Sequence, residues 1–139
     1  MEVALAVAAD LASVTAEGKL NILGIFDRLN APIFPFALPQ MFLAVRLSFS
    51  PDEVDHDANL RIELVNARDS QMVALQGSLR TPTSLPEGST QGLINQIVGV
   101  AGLTFETGGA YRFRIFLNDI EQNSIHLYVN DASGVSDGG

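Results

Sequence analysis

Five stretches of this chain repeat apolar residues at every second position. Met41, Leu43, Val45, Leu47 and Phe49 alternate with Phe42, Ala44, Arg46 and Ser48. Leu60, Ile62 and Leu64 alternate with Arg61 and Glu63, and Val73, Leu75, Gly77 and Leu79 with smaller or polar residues. Tyr111, Phe113, Ile115 and Leu117 alternate with Arg112, Arg114 and Asn118, and Ile125, Leu127 and Val129 with Ser124, His126 and Asn130. Successive side chains of a strand point to opposite faces, so each stretch predicts a strand with one core face and one wetter face.

Val3–Ala9 and Leu20–Phe26 are apolar on both faces. Such strands are expected in the middle of a sheet, or covered on the outer face by another chain. Val3–Ala9 also has the look of a signal-peptide core, but Glu2 stands where a positive flank belongs, and a first strand fits better. Gln91–Val100 fits a strand or a short helix; Gly92, Gly99 and Gly102 favour the strand.

Turn signals separate these segments. Ala16-Glu17-Gly18-Lys19 reads as a hairpin loop, Ser50–Ala58 as a polar loop, Ala67–Gln71 as a short reversal and Thr81–Thr90 as a longer one. Pro32, Pro35 and Pro39 prevent ladder bonding at their own positions. They mark a crossover from Phe26 to a strand starting at Met41, with Phe34 and Phe36 plugging one end of the core. Seven to eight strands at this spacing predict an all-β, single-domain antiparallel β-sandwich. Tyr111 two residues before Phe113 has the spacing of a tyrosine corner, which adds an immunoglobulin-like hint. The 139 residues suit one domain, able to bury roughly two thirds of its unfolded surface. Residues 1–130 are read as that domain and 131–139 (DASGVSDGG) as a flexible tail.

Some of these residues also carry a resemblance. Ala9-Asp10, Gly18-Lys19-Leu20-Asn21, Gly24-Ile25-Phe26-Asp27 and Leu38-Pro39, with Gly109-Ala110-Tyr111-Arg112-Phe113 and Leu127-Tyr128-Val129 further on, resemble a family of small uncharacterised bacterial proteins over about residues 3 to 130. Leu38 departs from that family, in which a histidine is common there. A histidine-based site at this point is therefore absent. The resemblance implies a fold and no activity.

Composition narrows the function classes. The net charge is −8, and the eight basic residues are scattered with no basic run. Nucleic acids and anionic membranes are bound through such runs, so neither is an expected partner. With no cysteine there is no disulfide, thiolate metal site or thiol nucleophile, and the chain suits the cytoplasm. Charged residues make up only 17%, which leaves apolar surface exposed or buried against a partner.

Candidate sites are few. Asp27 and Arg28 could pair with each other, and Asp10 could face Arg28 across the hairpin. Paired charges of this kind more often fix an angle in the chain than bind a ligand. Asp52, Glu53, Asp55, His56 and Asp57 form the one acidic concentration, which lacks the calcium-loop pattern and reads as a solvated loop. His56 and His126, the two histidines, sit in no catalytic motif.

The leading expectation is a non-enzymatic interaction or structural module. It would dock a protein partner or another copy of itself through an apolar sheet face or edge strand, with Asp27, Arg28, Phe34 and Phe36 as the candidate surface. A small-ligand-binding fold, with Gly99–Gly109 as a lid loop, and a hydrolase using His56 or His126 are the alternatives. No catalytic residue, metal ligand or cofactor site is assigned.

Overall fold

The computed structural model describes residues 1–132, and these residues are all-β. Strands β1 (Glu2–Val14), β2 (Leu20–Phe26), β4 (Phe36–Phe49) and β7 (Gly92–Phe105) form one sheet, ordered β2-β1-β4-β7, with β3 (Arg28–Ala31) assigned to the other. The second sheet adds β5 (Asp57–Val65), β6 (Gln71–Arg80), β8 (Gly109–Leu117) and β10 (Ile125–Asp131) in the order β3-β10-β8-β5-β6, and two-residue β9 (Ile120–Glu121) pairs with β8. One turn of 3-10 helix, Pro51–Glu53, precedes β5.

The alternating residues build the core. Met41, Leu43, Val45 and Leu47 of β4 are fully buried. They belong to one cluster with Ile62 and Leu64 of β5, Phe113 and Ile115 of β8, and Leu127 and Val129 of β10. Both sheets therefore face the same core, and each large aliphatic side chain taken from water contributes about 1.5–3 kcal/mol. Val73, Leu75 and Leu79 are only half-buried because β6 lies at a sheet edge.

Several expectations need correction. Ten strands are present among the described residues rather than seven or eight, because short β3 and β9 have no alternation long enough to read. β3 runs parallel to β10, so the second sheet is mixed and not purely antiparallel. The segment Gln91–Val100 is a strand from Gly92 on, as favoured, and continues to Phe105. Gly99–Phe105 is thus paired to β4 and is no lid loop. β4 likewise starts at Phe36, ahead of the expected Met41. Pro39 lies inside it, facing Gly102, whose φ is +75°. A proline has no N–H to give to a ladder. The alternation slips on both strands there: Leu38 and Met41, three apart, are both buried, as are Val100 and Leu103.

The crossing between sheets happens earlier than the prolines suggest. β2 ends at Phe26, Asp27 turns the chain, and β3 already lies against β10. Pro32–Pro35, with a cis Phe34–Pro35 bond, then returns it to the first sheet. β10 extends through Asp131, and Ala132 N–H donates to Ala31 O at 2.8 Å. The rest of the expected tail, 133–139, lies outside the described residues.

β1 is central, between β2 and β4, but β2 is an edge strand and not an inner one. β1 pairs with β4 only as far as Ala9, opposite Phe42; beyond that it pairs with β2 alone. This free half of the hairpin folds back over the outer face of its own sheet. Asn95 of β7 stands across from Arg46, which stands across from Leu5, yet Asn95 Nδ2 donates to Gly18 O at 3.1 Å. A straight hairpin would carry Gly18, thirteen residues past Leu5 (18 − 5), roughly 40 Å away. Ala9, Ala12 and Ala44, small enough for close approach, are buried outside the main cluster where the arm meets the sheet. The second apolar face of β1 is therefore covered in part by its own chain: Ala9 is buried and Val7 half-buried, while Leu5 stays 36% exposed.

Gly92 supports Phe49: a Cβ at that position would collide with the Phe49 ring, whereas a Cβ at Gly77 meets open space. Gly92→Ala is expected to cost roughly 1–3 kcal/mol in urea unfolding, and Gly77→Ala to leave stability unchanged or slightly raised.

Candidate functional site

The expected surface residues do not act as one group. Asp27 and Arg28 are exposed at the crossing between sheets. Asp27 is used through its backbone, its carbonyl accepting the Tyr128 N–H at 2.8 Å. Arg28 lies over the Tyr128 ring, 4.9 Å from the centroid. Neither the Asp27–Arg28 nor the Asp10–Arg28 ion pair is found among the described residues; the Asp10 carboxyl instead packs against Gly24. Phe34 and Phe36 are half-buried against the core, Phe36 stacking on Phe105 at 6.5 Å. They plug the end of the core, and their neighbour Ile33 carries the exposure, 67%.

The exposed apolar surface lies on the β1–β2 arm. Leu11 and Leu23 face each other across the hairpin, and Ile25 is two residues from Leu23 on the same face. Their exposures are 50%, 67% and 63%. β2 has β1 on one side and, among the described residues, no strand on the other. Its sequence, Leu-Asn-Ile-Leu-Gly-Ile-Phe, has no proline, lysine or charge, which usually blunt an edge; its one irregular point is Gly24, at φ +73°. The doubly apolar pattern of β2 was legible in the sequence; its place at an edge was not.

The outer face of the second sheet is the opposite in character. Phe116, only 9% exposed though it points outward, lies between two guanidiniums, with Arg61 at 4.3 Å and Arg114 at 5.0 Å from its centroid. Arg61 binds Glu63 and Asp119, Arg114 binds Glu121, and Arg112 binds Asp69. The Arg112 guanidinium holds the Asp69 carboxyl below its ordinary range, and Arg114 does the same to Glu121. Three arginines scattered in sequence thus meet in space, but four carboxylates neutralise them, so no basic patch results. Phe116 is the residue that sequence reasoning missed; an aromatic in the outward phase, two residues after Arg114 on the same strand, was the available signal.

The acidic run is a structural knot. Arg80 bridges Asp55 and Asp57. Buried Thr81 donates its hydroxyl to Glu53 O at 2.6 Å and accepts the His56 N–H at 2.8 Å. Glu53 caps the 3-10 turn by accepting the Ser50 N–H and binds the Met1 ammonium at 2.6 Å. His56 sits at the start of β5, while His126 is level with Val65 at its far end, through Arg112. His126, Ser124 and Asp27 line one open groove of about 380 Å³. No hydrogen bond joins His126 to either, whereas a nucleophile–base pair needs one within about 3.2 Å. A second cleft of about 270 Å³ lies between the edges of β6 and β7, over Leu60, Ile62, Leu75, Leu79 and Val98. No helix among the described residues is long and apolar enough to cross a membrane.

The Met1 ammonium first, and the Ser50 N–H second, lower the Glu53 carboxyl from 4.5 to about 2. A carboxyl depressed by folding adds stability above its unfolded pKa and loses it as pH falls toward the folded value. The stability gap between the wild type and Glu53→Gln is therefore expected to be widest above about pH 5 and to close as pH falls toward about 2, as thermal melts across that range would record.

Solved structures give weak likenesses. The Pseudomonas fluorescens alkylpurine DNA glycosylase AlkC, bound to DNA containing an abasic site analog, matches with a TM-score of 0.44 and 12% identity, over 75% of this chain and 27% of that one. The β-glucosidase from Listeria innocua in complex with glucose matches with a TM-score of 0.44 and 7% identity, over 75% of this chain and 15% of that one. Matches at this level carry no inference about function. No curated protein shows significant similarity to the chain. The sequence pattern of one family does match, across residues 4–130, and the chain belongs to it: a family of unknown function, DUF6941.

Proposed function

We propose that this protein is a non-enzymatic interaction module that docks a partner protein, or another copy of itself, through the apolar edge of the β1–β2 arm. The observation that carries this reading is the exposure of Leu23 and Ile25, 67% and 63%, on a strand whose outer edge has no partner among the described residues. Contiguous exposed apolar groups next to a free backbone edge are what β-strand addition uses: the ladder supplies affinity and the side chains supply selectivity. The reading extends to an immunoglobulin-like β-sandwich working in a bacterial cytoplasm. Support for that architecture comes from the core shared by two sheets and from Tyr111, whose hydroxyl donates to Thr107 O at 2.6 Å, four residues upstream, as a tyrosine corner does.

Asp27 and Arg28 flank this edge and belong to the proposed surface; Phe34 and Phe36, half-buried against the core, do not. A second reading, a small apolar ligand in the β6–β7 cleft, rests on the apolar floor of that cleft and on the room left at Gly77.

The test compares tagged wild type with a Leu23→Asp/Ile25→Asp double variant in affinity purification from the native cells. Both residues are exposed, so the variant is expected to melt within a few degrees of the wild type. A stoichiometric partner held by the wild type and lost by the variant supports the reading. Recovery of the same proteins with both, or of an apolar small molecule that the variant retains, counts against it.

A further inference from the structure

We propose that a second copy of this chain occupies the β2 edge, the two β2 strands pairing antiparallel about a two-fold axis at Leu23. This deepens the interaction reading above and rests on it. Two copies of a chain with net charge −8 repel each other and can meet stably only where their surfaces are neutral or complementary. Residues 20–26 carry no charge, and a charge of each sign flanks them: Lys19 before, Asp27 after.

Antiparallel pairing about Leu23 sets residue i of one copy against residue 46 − i of the other. Lys19 then stands opposite Asp27 of the second copy, and symmetry makes this pair twice. Lys19 can exchange into that role: it now pairs with Glu17 at 3.7 Å, but both side chains are about three-quarters exposed, 74% and 76%, and a pair so exposed is weak. Shifting the axis by one residue toward the N-terminus would set Asp27 against Glu17, a like-charge clash, so charge selects the register.

The apolar groups agree with that register. Leu23 meets Leu23 at the axis, and Asn21 meets Ile25. The exposed row of Leu23 and Ile25, backed by Leu11, continues from one copy into the other and leaves water. On the opposite side of the strand, Ile22 stands across from Gly24, over which the Asp10 carboxyl of the same copy packs. The pairing is isologous and closes on itself, so it ends at a dimer and builds no fibre.

The absence of cysteine allows a clean test on the purified full chain. Residues facing each other across antiparallel strands have Cα atoms about 4.5–5.5 Å apart, within the range that a disulfide spans. Sedimentation is expected to show a dimer. Leu23→Cys should oxidise to a covalent dimer, and Ala101→Cys, exposed on β7, should not. Lys19→Asp should weaken the dimer roughly tenfold through two lost pairs and two new repulsions. Asp27→Lys should do the same, and the double exchange Lys19→Asp/Asp27→Lys should restore it. A chain that stays monomeric at every accessible concentration overturns the proposal. So does a dimer that links through Ala101→Cys, or one indifferent to the charge reversals. A monomer that loses a different protein partner in the Leu23→Asp/Ile25→Asp variant would end the second-copy proposal and leave the interaction reading standing.

Discussion

Burial of β4 on both faces is the constraint on which the rest of this structure depends. Its inward row, Met41, Leu43, Val45 and Leu47, is fully excluded from water and forms the middle of the shared core. Its outward row includes Ala44, also fully buried, on the side where the β1–β2 arm folds over. β1 lies along one edge of β4 and β7 along the other. A strand held this way needs small residues outward and large ones inward, and residues 41–49 meet that need except at Phe42, beside Gly99, and at Arg46, which reaches across to Asn95. Displacing β4 would release the core and the arm together.

Charge is distributed to match. The arginines of β5 and β8 are committed to carboxylates and to the Phe116 ring on the outer face of the second sheet. Arg80 is committed to the acidic loop. Exposed ion pairs of this kind are individually weak. Together they make that face polar and closed to an apolar partner. The arm, between Asp10 and Asp27, is left as the neutral surface. The low overall charge of the chain is therefore concentrated away from β2, which is why one edge can be apolar while the molecule carries a net charge of −8.

The sequence made the strands legible where one face is core and the other is wet, because burial and exposure then alternate with the pleat. Residues 41–49, 60–64, 111–117 and 125–129 show this: their inward residues are buried, and Ala44 and Phe116 are the buried exceptions on the outward side. It left β3 and β9 hidden, since Arg28–Ala31 and Ile120–Glu121 are too short for a period to emerge. It also misplaced the start of β4, because Pro39 and Gly102 read as breakers when taken singly, whereas they face each other and share one irregular rung. The site was legible by half. The two apolar faces of Leu20–Phe26 were plain, and Asp27 and Arg28 were picked out beside them. Whether such a strand is central or at an edge depends on which strands join its sheet, and that is a long-range property with no local signal. The same limit hid the meeting of Arg61 and Arg114 over Phe116.

The arm also ties the presentation of β2 to residues far from it in sequence. The arm is held to the sheet by the Asn95–Gly18 hydrogen bond and by the close approach that Ala9, Ala12 and Ala44 allow. Asn95 accepts in turn from Arg46 Nε at 2.9 Å, so its amide is oriented by β4. The direction in which the β2 edge points is therefore set through β4 and β7, not by β2 itself. A hairpin attached only at its base would sample many directions and would have to be ordered on binding, at a conformational cost for each residue. Seated on the sheet, it offers its edge already oriented, so the free energy of pairing is not spent on ordering the arm.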